Sequence, residues 1–71
     1  MKLVHRAILT RINLSGEAGT VRANVTAKGV RVGWHVRTLL DAGYIEEFTM
    51  PLRKPTPALR ITEAGRKILA S

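Results

Sequence analysis

The stretch Gly29-Val30-Arg31-Val32-Gly33-Trp34-His35-Val36-Arg37-Thr38-Leu39-Leu40-Asp41-Ala42-Gly43-Tyr44-Ile45 decides the fold of this chain. Val32, Val36, Leu39 and Leu40 recur at three- and four-residue spacing, the period at which side chains share one face of an α-helix. Gly43 stands where a left-handed residue ends a helix without steric cost, and Tyr44 and Ile45 open a segment suited to a strand. The spacing predicts a helix from about Val30 to Ala42, with Gly29 as the turn before it. At roughly 100° per residue, the opposite face collects Arg31, Trp34, Arg37, Thr38 and Asp41. An apolar inner stripe therefore carries an outer face with two arginines, a hydroxyl and an indole.

Upstream, Lys2 to Leu14 places Val4, Ala7, Ile8 and Ile12 on one stripe, which predicts a first amphipathic helix. Leu3 and Leu9 fall off that stripe and are assigned to contact with the C-terminal helix ahead of a second subunit. The cluster Ser15-Gly16-Glu17-Ala18-Gly19 breaks the helix. Thr20 is then read as the N-cap of a second helix over Val21 to Lys28, with Val21 and Val25 facing inward.

Downstream, Tyr44 to Thr49 reads as a strand. Met50 to Pro57 carries Pro51, Pro55 and Pro57 around Arg53 and Lys54, and is expected to be a loop with a basic tip because proline cannot donate to a ladder. Ala58 to Ile61 returns as a second strand with Leu59 and Ile61 inward and Arg60 outward. Thr62 caps a last helix, Glu63 to Ala70, whose inward stripe is Ile61, Ala64 and Ile68.

At 71 residues the chain is one domain, and one this small buries only about 60% of its unfolded surface. It contains no cysteine, so neither a disulfide nor a thiolate metal site adds stability, and the core rests on aliphatic packing. Twelve Lys and Arg against five Asp and Glu give a net charge of +7, a field that attracts polyanions, nucleic acid first among them. The cations are spread over helix faces and a loop tip rather than along one amphipathic helix, which weighs against a membrane surface. The N-terminal run is interrupted by His5, Arg6 and Arg11 and makes no signal peptide or span; the expected location is the cytoplasm, on the nucleoid.

Three helices followed by a β-hairpin and a last helix is the winged helix-turn-helix order, an α+β, mostly helical arrangement. Two phrases resemble that superfamily. Leu39-Leu40-Asp41-Ala42-Gly43-Tyr44-Ile45 is similar to the end of the recognition helix in bacterial regulators of the MarR, ArsR and PadR type. Leu59-Arg60-Ile61-Thr62-Glu63-Ala64-Gly65-Arg66 resembles the passage leaving the wing in MarR-like proteins. The resemblance implies a three-helix core, a two-stranded wing and binding to double-stranded DNA by a small transcriptional regulator; it implies no cofactor.

On that expectation, helix 30–42 enters the major groove; Arg31, nearer its N-terminus, offers a bidentate contact to guanine and Arg37 meets a phosphate. Trp34 meets a thymine methyl, a sugar or another protein chain, and Thr38 a phosphate or base. His35 borders the inner stripe, where a lone imidazole is more often a satisfied boundary residue than a base reader; His5 is read the same way. Arg22 and Lys28 are phosphate contacts, and Arg53 and Lys54 carry the wing to flanking backbone or minor groove. Specificity from so small a footprint calls for a homodimer on two half-sites or cooperative neighbours, with Leu3, Leu9 and Trp34 as candidate contacts.

No triad, His-x-x-x-His pair or Gly-rich phosphate loop is present, and adjacent Glu46 and Glu47 point to opposite strand faces, so an enzyme is not expected. The rival readings are a protein-interaction module docking through Trp34, and an RNA-binding winged helix.

Overall fold

The computed structural model describes residues 2–26 and 30–71, and of Thr26, Val30 and Arg31 the backbone alone. Helix α1 spans Leu3–Leu14 and is followed by a 3-10 turn at Gly16–Ala18; strand β1 is Thr20–Val21, and helices α2 and α3 are Arg22–Thr26 and Val30–Asp41. Strands β2 (Ile45–Pro51) and β3 (Pro55–Ile61) form a hairpin, and α4 (Glu63–Ala70) closes the chain. The molecule is a small, mostly helical α+β domain whose antiparallel sheet has the strand order β1-β3-β2.

A third strand is the first departure from the sequence reading. Thr20 does not cap α2: it pairs with Leu59, and Val21 with Ala58, across β1 and β3. The Thr20 hydroxyl donates to that of Ser15 at 2.6 Å, and α2 begins only at Arg22. Gly19 makes this path possible. Its φ is 80°, and a Cβ there would lie 2.5 Å from the Phe48 ring, so only a glycine lets the chain turn into the sheet this close to the aromatic side chain.

The second departure is the hairpin. The ladder continues to Met50↔Thr56 and Pro51↔Pro55, leaving only residues 52–54 as the tip. The prolines fit because residues 51, 55 and 57 share one parity in the register with Leu59, whose carbonyl oxygen is turned to the Gly19 and β1 side. Successive residues direct their backbone groups to alternate sides, so these prolines aim their nitrogens away from the other strand of the hairpin. Pro51 faces the outer edge of β2, while Pro55 and Pro57 lie beyond the short reach of β1. A single proline of the other parity would have broken the ladder.

The end of α3 follows the sequence reading closely. Gly43 has φ 79°; its N–H donates to Leu40 O at 3.0 Å and that of Tyr44 to Leu39 O at 3.1 Å, the paired bonds of a Schellman motif. Helix α4 is locked onto this turn. Thr62 Oγ1 accepts from Gly65 N–H at 3.2 Å and donates to Gly43 O at 2.6 Å, while Thr62 N–H donates to Tyr44 O at 3.0 Å.

The core joins Ile8, Leu9 and Ile12 of α1 to Val25, Val36, Leu39, Ile45, Leu59 and Ile61. The inward face of α1 is thus rotated from the expected stripe: Leu9 is fully buried, whereas Leu3 is 86% exposed and Val4 and Ala7 face outward. In α4 the buried position is Gly65, flanked by half-buried Ile68 and Leu69, and Ala64 is exposed.

Candidate nucleic-acid interface

The packing of α3 fixes which of its faces is free. Val36 and Leu39 are buried and Val32 and Leu40 pack against the core, so the helix shows solvent Trp34, Arg37, Thr38 and Asp41. Trp34 is 73% exposed, an unusual setting for the residue with the largest apolar surface in the chain. Beside it Gly33 has open space where a Cβ would stand, leaving the backbone accessible to a close partner.

Arg37 Nε lies 3.2 Å from Asp41 Oδ1 one turn on, both side chains well exposed. Such a pair contributes little in water, and Arg37 can exchange it for a phosphate or a guanine edge. Thr38 is differently placed: its Oγ1 donates to Trp34 O at 3.1 Å, so the proton a phosphate would take is engaged within the helix. His35 turns toward α1, where its Nδ1 lies 2.9 Å from His5 Nε2 and the rings meet edge-on at 69°. The side chain of Arg31, and Lys28 and Gly29 altogether, lie outside the described residues.

The hairpin brings the second group of candidates. Arg53 and Lys54 stand exposed at the tip, and neither has a carboxylate partner among the described residues. Arg22, by contrast, pairs with Glu47 of β2; it ties α2 to the hairpin as well as presenting charge. Glu46 is held by Arg60, whose guanidinium sits 4.7 Å from the centre of the Phe48 ring, so the two adjacent glutamates serve separate arginines.

The distribution of pairs concentrates the net charge. Asp41, Glu46, Glu47 and Glu63 are engaged with Arg37, Arg60, Arg22 and Lys67. Among the described residues, Lys2 just before α1, Arg11 of α1, Arg53 and Lys54 of the tip, and Arg66 of α4 have no such partner, and Arg6 donates instead to Leu69 O at 2.9 Å. The positive field is thus carried by the outside of α1, the hairpin tip and α4, with α3 adding its exposed, easily exchanged arginine.

Sequence reasoning missed the His5–His35 pair and the Arg22–Glu47 bridge, both of which join residues far apart in the chain. It also passed over Leu52, 53% exposed at the hairpin tip. Its place between Pro51 and two cations in a proline-bounded tip was the signal available.

No described helix is long and apolar enough to cross a membrane. Comparison with family models, curated proteins and solved structures finds no match to this chain.

Proposed function

We propose that this chain is a minimal winged helix-turn-helix domain that binds double-stranded DNA and acts as a small transcriptional regulator. Helix α3 lies in the major groove and the hairpin of β2 and β3 serves as the wing on flanking backbone or minor groove. The observation that carries the reading is the outer face of α3: Trp34 and Arg37 stand exposed on a helix whose other side is anchored in the core, in a chain of net charge +7. A helix held from behind, with a cation and one flat apolar group in front, is the arrangement that major-groove docking requires.

In this reading Arg37, and Arg31 about one and two-thirds turns earlier, choose between base edge and phosphate, Trp34 supplies apolar contact, and Arg53 and Lys54 add affinity without selecting sequence. The pairing of Arg22 with Glu47 makes it a brace for the wing as much as a phosphate contact. A dimer on two half-sites, or cooperative neighbours, supplies the rest of the specificity.

Selection of bound duplexes from a random pool at controlled salt tests the proposal. Enrichment of a short motif, with log affinity falling against log salt at a slope of about −4 to −5, is the expected result. Failure to retain any duplex at low salt overturns it. A protein complex that is lost on Trp34→Ala, in a chain that leaves DNA unbound, would instead establish an interaction module.

A further inference from the structure

We infer that the hairpin tip is a DNA-bending wedge: Leu52 enters the minor groove between two base pairs while Arg53 and Lys54 hold the phosphates on either side. This inference rests on the duplex-binding reading above and adds to it a residue, a groove and a mechanical consequence.

The tip is built to reach outward. None of residues 49–57 is buried, whereas Ala58, Leu59 and Ile61 are, so the last rungs overhang the core by about 10 Å. It is also stiff. Pro51 and Pro55 face each other across the final rung and fix φ on both flanks. Leu52 N–H donates to Met50 O at 2.9 Å, and Thr56 Oγ1 donates to Lys54 O at 2.8 Å, so each arm of the tip is tied to itself. Little conformational freedom is left to lose on binding.

At the end of this rigid arm stands an apolar side chain, 53% exposed, followed at once by two exposed cations without carboxylate partners among the described residues. Apolar residues in this position unstack a base step, and adjoining Arg or Lys draw the phosphates together across the narrowed groove. Steps that unstack easily, TA and CA/TG, are the ones such a tip selects. A single leucine offers too little apolar area for a stable lipid anchor, which favours the groove over a membrane.

The test uses the full chain and its selected duplexes, labelled at both ends for energy transfer and carrying 2-aminopurine at the pyrimidine–purine step beneath the tip. Wild-type protein should shorten the end-to-end distance by a kink of about 20° or more and raise 2-aminopurine emission. Leu52→Ser, at an exposed position, should abolish both signals while weakening binding only about three- to tenfold. Arg53→Gln and Lys54→Gln should each lower the salt slope by about one. Binding without a kink, or an equal kink with Leu52→Ser, overturns the wedge and leaves duplex binding intact; no duplex binding by the wild type removes both. Leu52-dependent retention on phosphatidylglycerol vesicles, with the duplex left straight, assigns the tip to lipid and overturns the inference.

Discussion

His5 of α1 and His35 of α3 share one hydrogen bond of 2.9 Å between Nε2 and Nδ1, which requires one ring to donate and the other to accept. Doubly protonated, the pair has only donors. Partial burial, and then the neighbouring His35, Lys2 and amino terminus, hold His5 below its ordinary value of 6.5. The unfolded chain therefore takes up this proton more readily than the folded one. The stabilisation is complete above pH 6.5 and is lost as pH falls from there through the depressed folded value. Denaturant midpoints at pH 7.5 and 5.5 should show the drop, and His5→Gln, which keeps a donor and an acceptor, should shrink it. Equal pH profiles for the two proteins would assign the acid sensitivity elsewhere.

The junction of α3 and α4 depends on one hydroxyl. Thr62 caps α4 through Gly65 N–H and donates to the Gly43 carbonyl, so Thr62→Val, nearly isosteric, removes a cap and a tertiary bond together. The expected cost is about 1–2 kcal/mol, measured by urea unfolding. Thr62→Ser should recover most of it. A Val variant as stable as wild type would show that the cap contributes nothing.

Two glycines inside helices should answer the same substitution with opposite signs. At Gly65 a Cβ would sit 2.1 Å from Tyr44 O and 2.7 Å from Ile61 Cγ1; since backbone cannot yield as a flexible side chain does, Gly65→Ala pushes α4 off the turn, at about 2–3 kcal/mol. At Gly33 the space is open, and Gly33→Ala should stabilise α3 by about 0.5–1 kcal/mol. Thermal unfolding of both variants checks the pair.

What the sequence made legible was local. The stripe of Val32, Val36, Leu39 and Leu40, the stop at Gly43 and the cap at Thr62 each follow from spacings within a turn or two of helix, and each stands where that spacing put it. Strand β1 was hidden because two residues carry no period; Thr20 and Val21 are a strand only because Gly19 brings them beside Leu59 and Ala58. The prolines misled for a related reason, since whether proline breaks a ladder depends on its parity against a partner strand that the sequence does not show. The same blindness covered His5 and His35, which meet only after α1 and α3 pack. On the outer face, the exposure of Trp34 followed from helical phase, but the back-bond of Thr38 and the bracing of Arg22 by Glu47 did not.

The rotation of α1 gives a direct check on the core. Leu9 is fully buried and Leu3 is 86% exposed. Leu9→Ala should cost about 3 kcal/mol, a large part of the roughly 5 kcal/mol available to so small a domain, and lower the thermal midpoint by about 12–24 °C. Leu3→Ala should leave the unfolding curve in place. If Leu3 instead matters, and its effect grows with protein concentration, α1 is an intersubunit helix.

Trp34 separates stability from recognition. Being 73% exposed, it can be truncated with little loss of stability, because the area it removes from solvent is small. Its role at an interface would be the reverse, since a large flat anchor at the centre of a contact carries a disproportionate share of the affinity. Trp34→Ala should therefore shift the denaturant midpoint hardly at all and weaken binding to a selected duplex by about tenfold or more, while Trp34→Phe recovers part of the loss. The indole also reports on itself: its emission, red-shifted as solvent exposure requires, should move to the blue on adding duplex. Gly33→Ala supplies the control for close approach, for a chain made more stable by that change yet poorer at binding would place the partner's backbone against the helix at residue 33. An emission spectrum unmoved by saturating duplex would put the indole outside the interface and transfer the recognition role to the arginines.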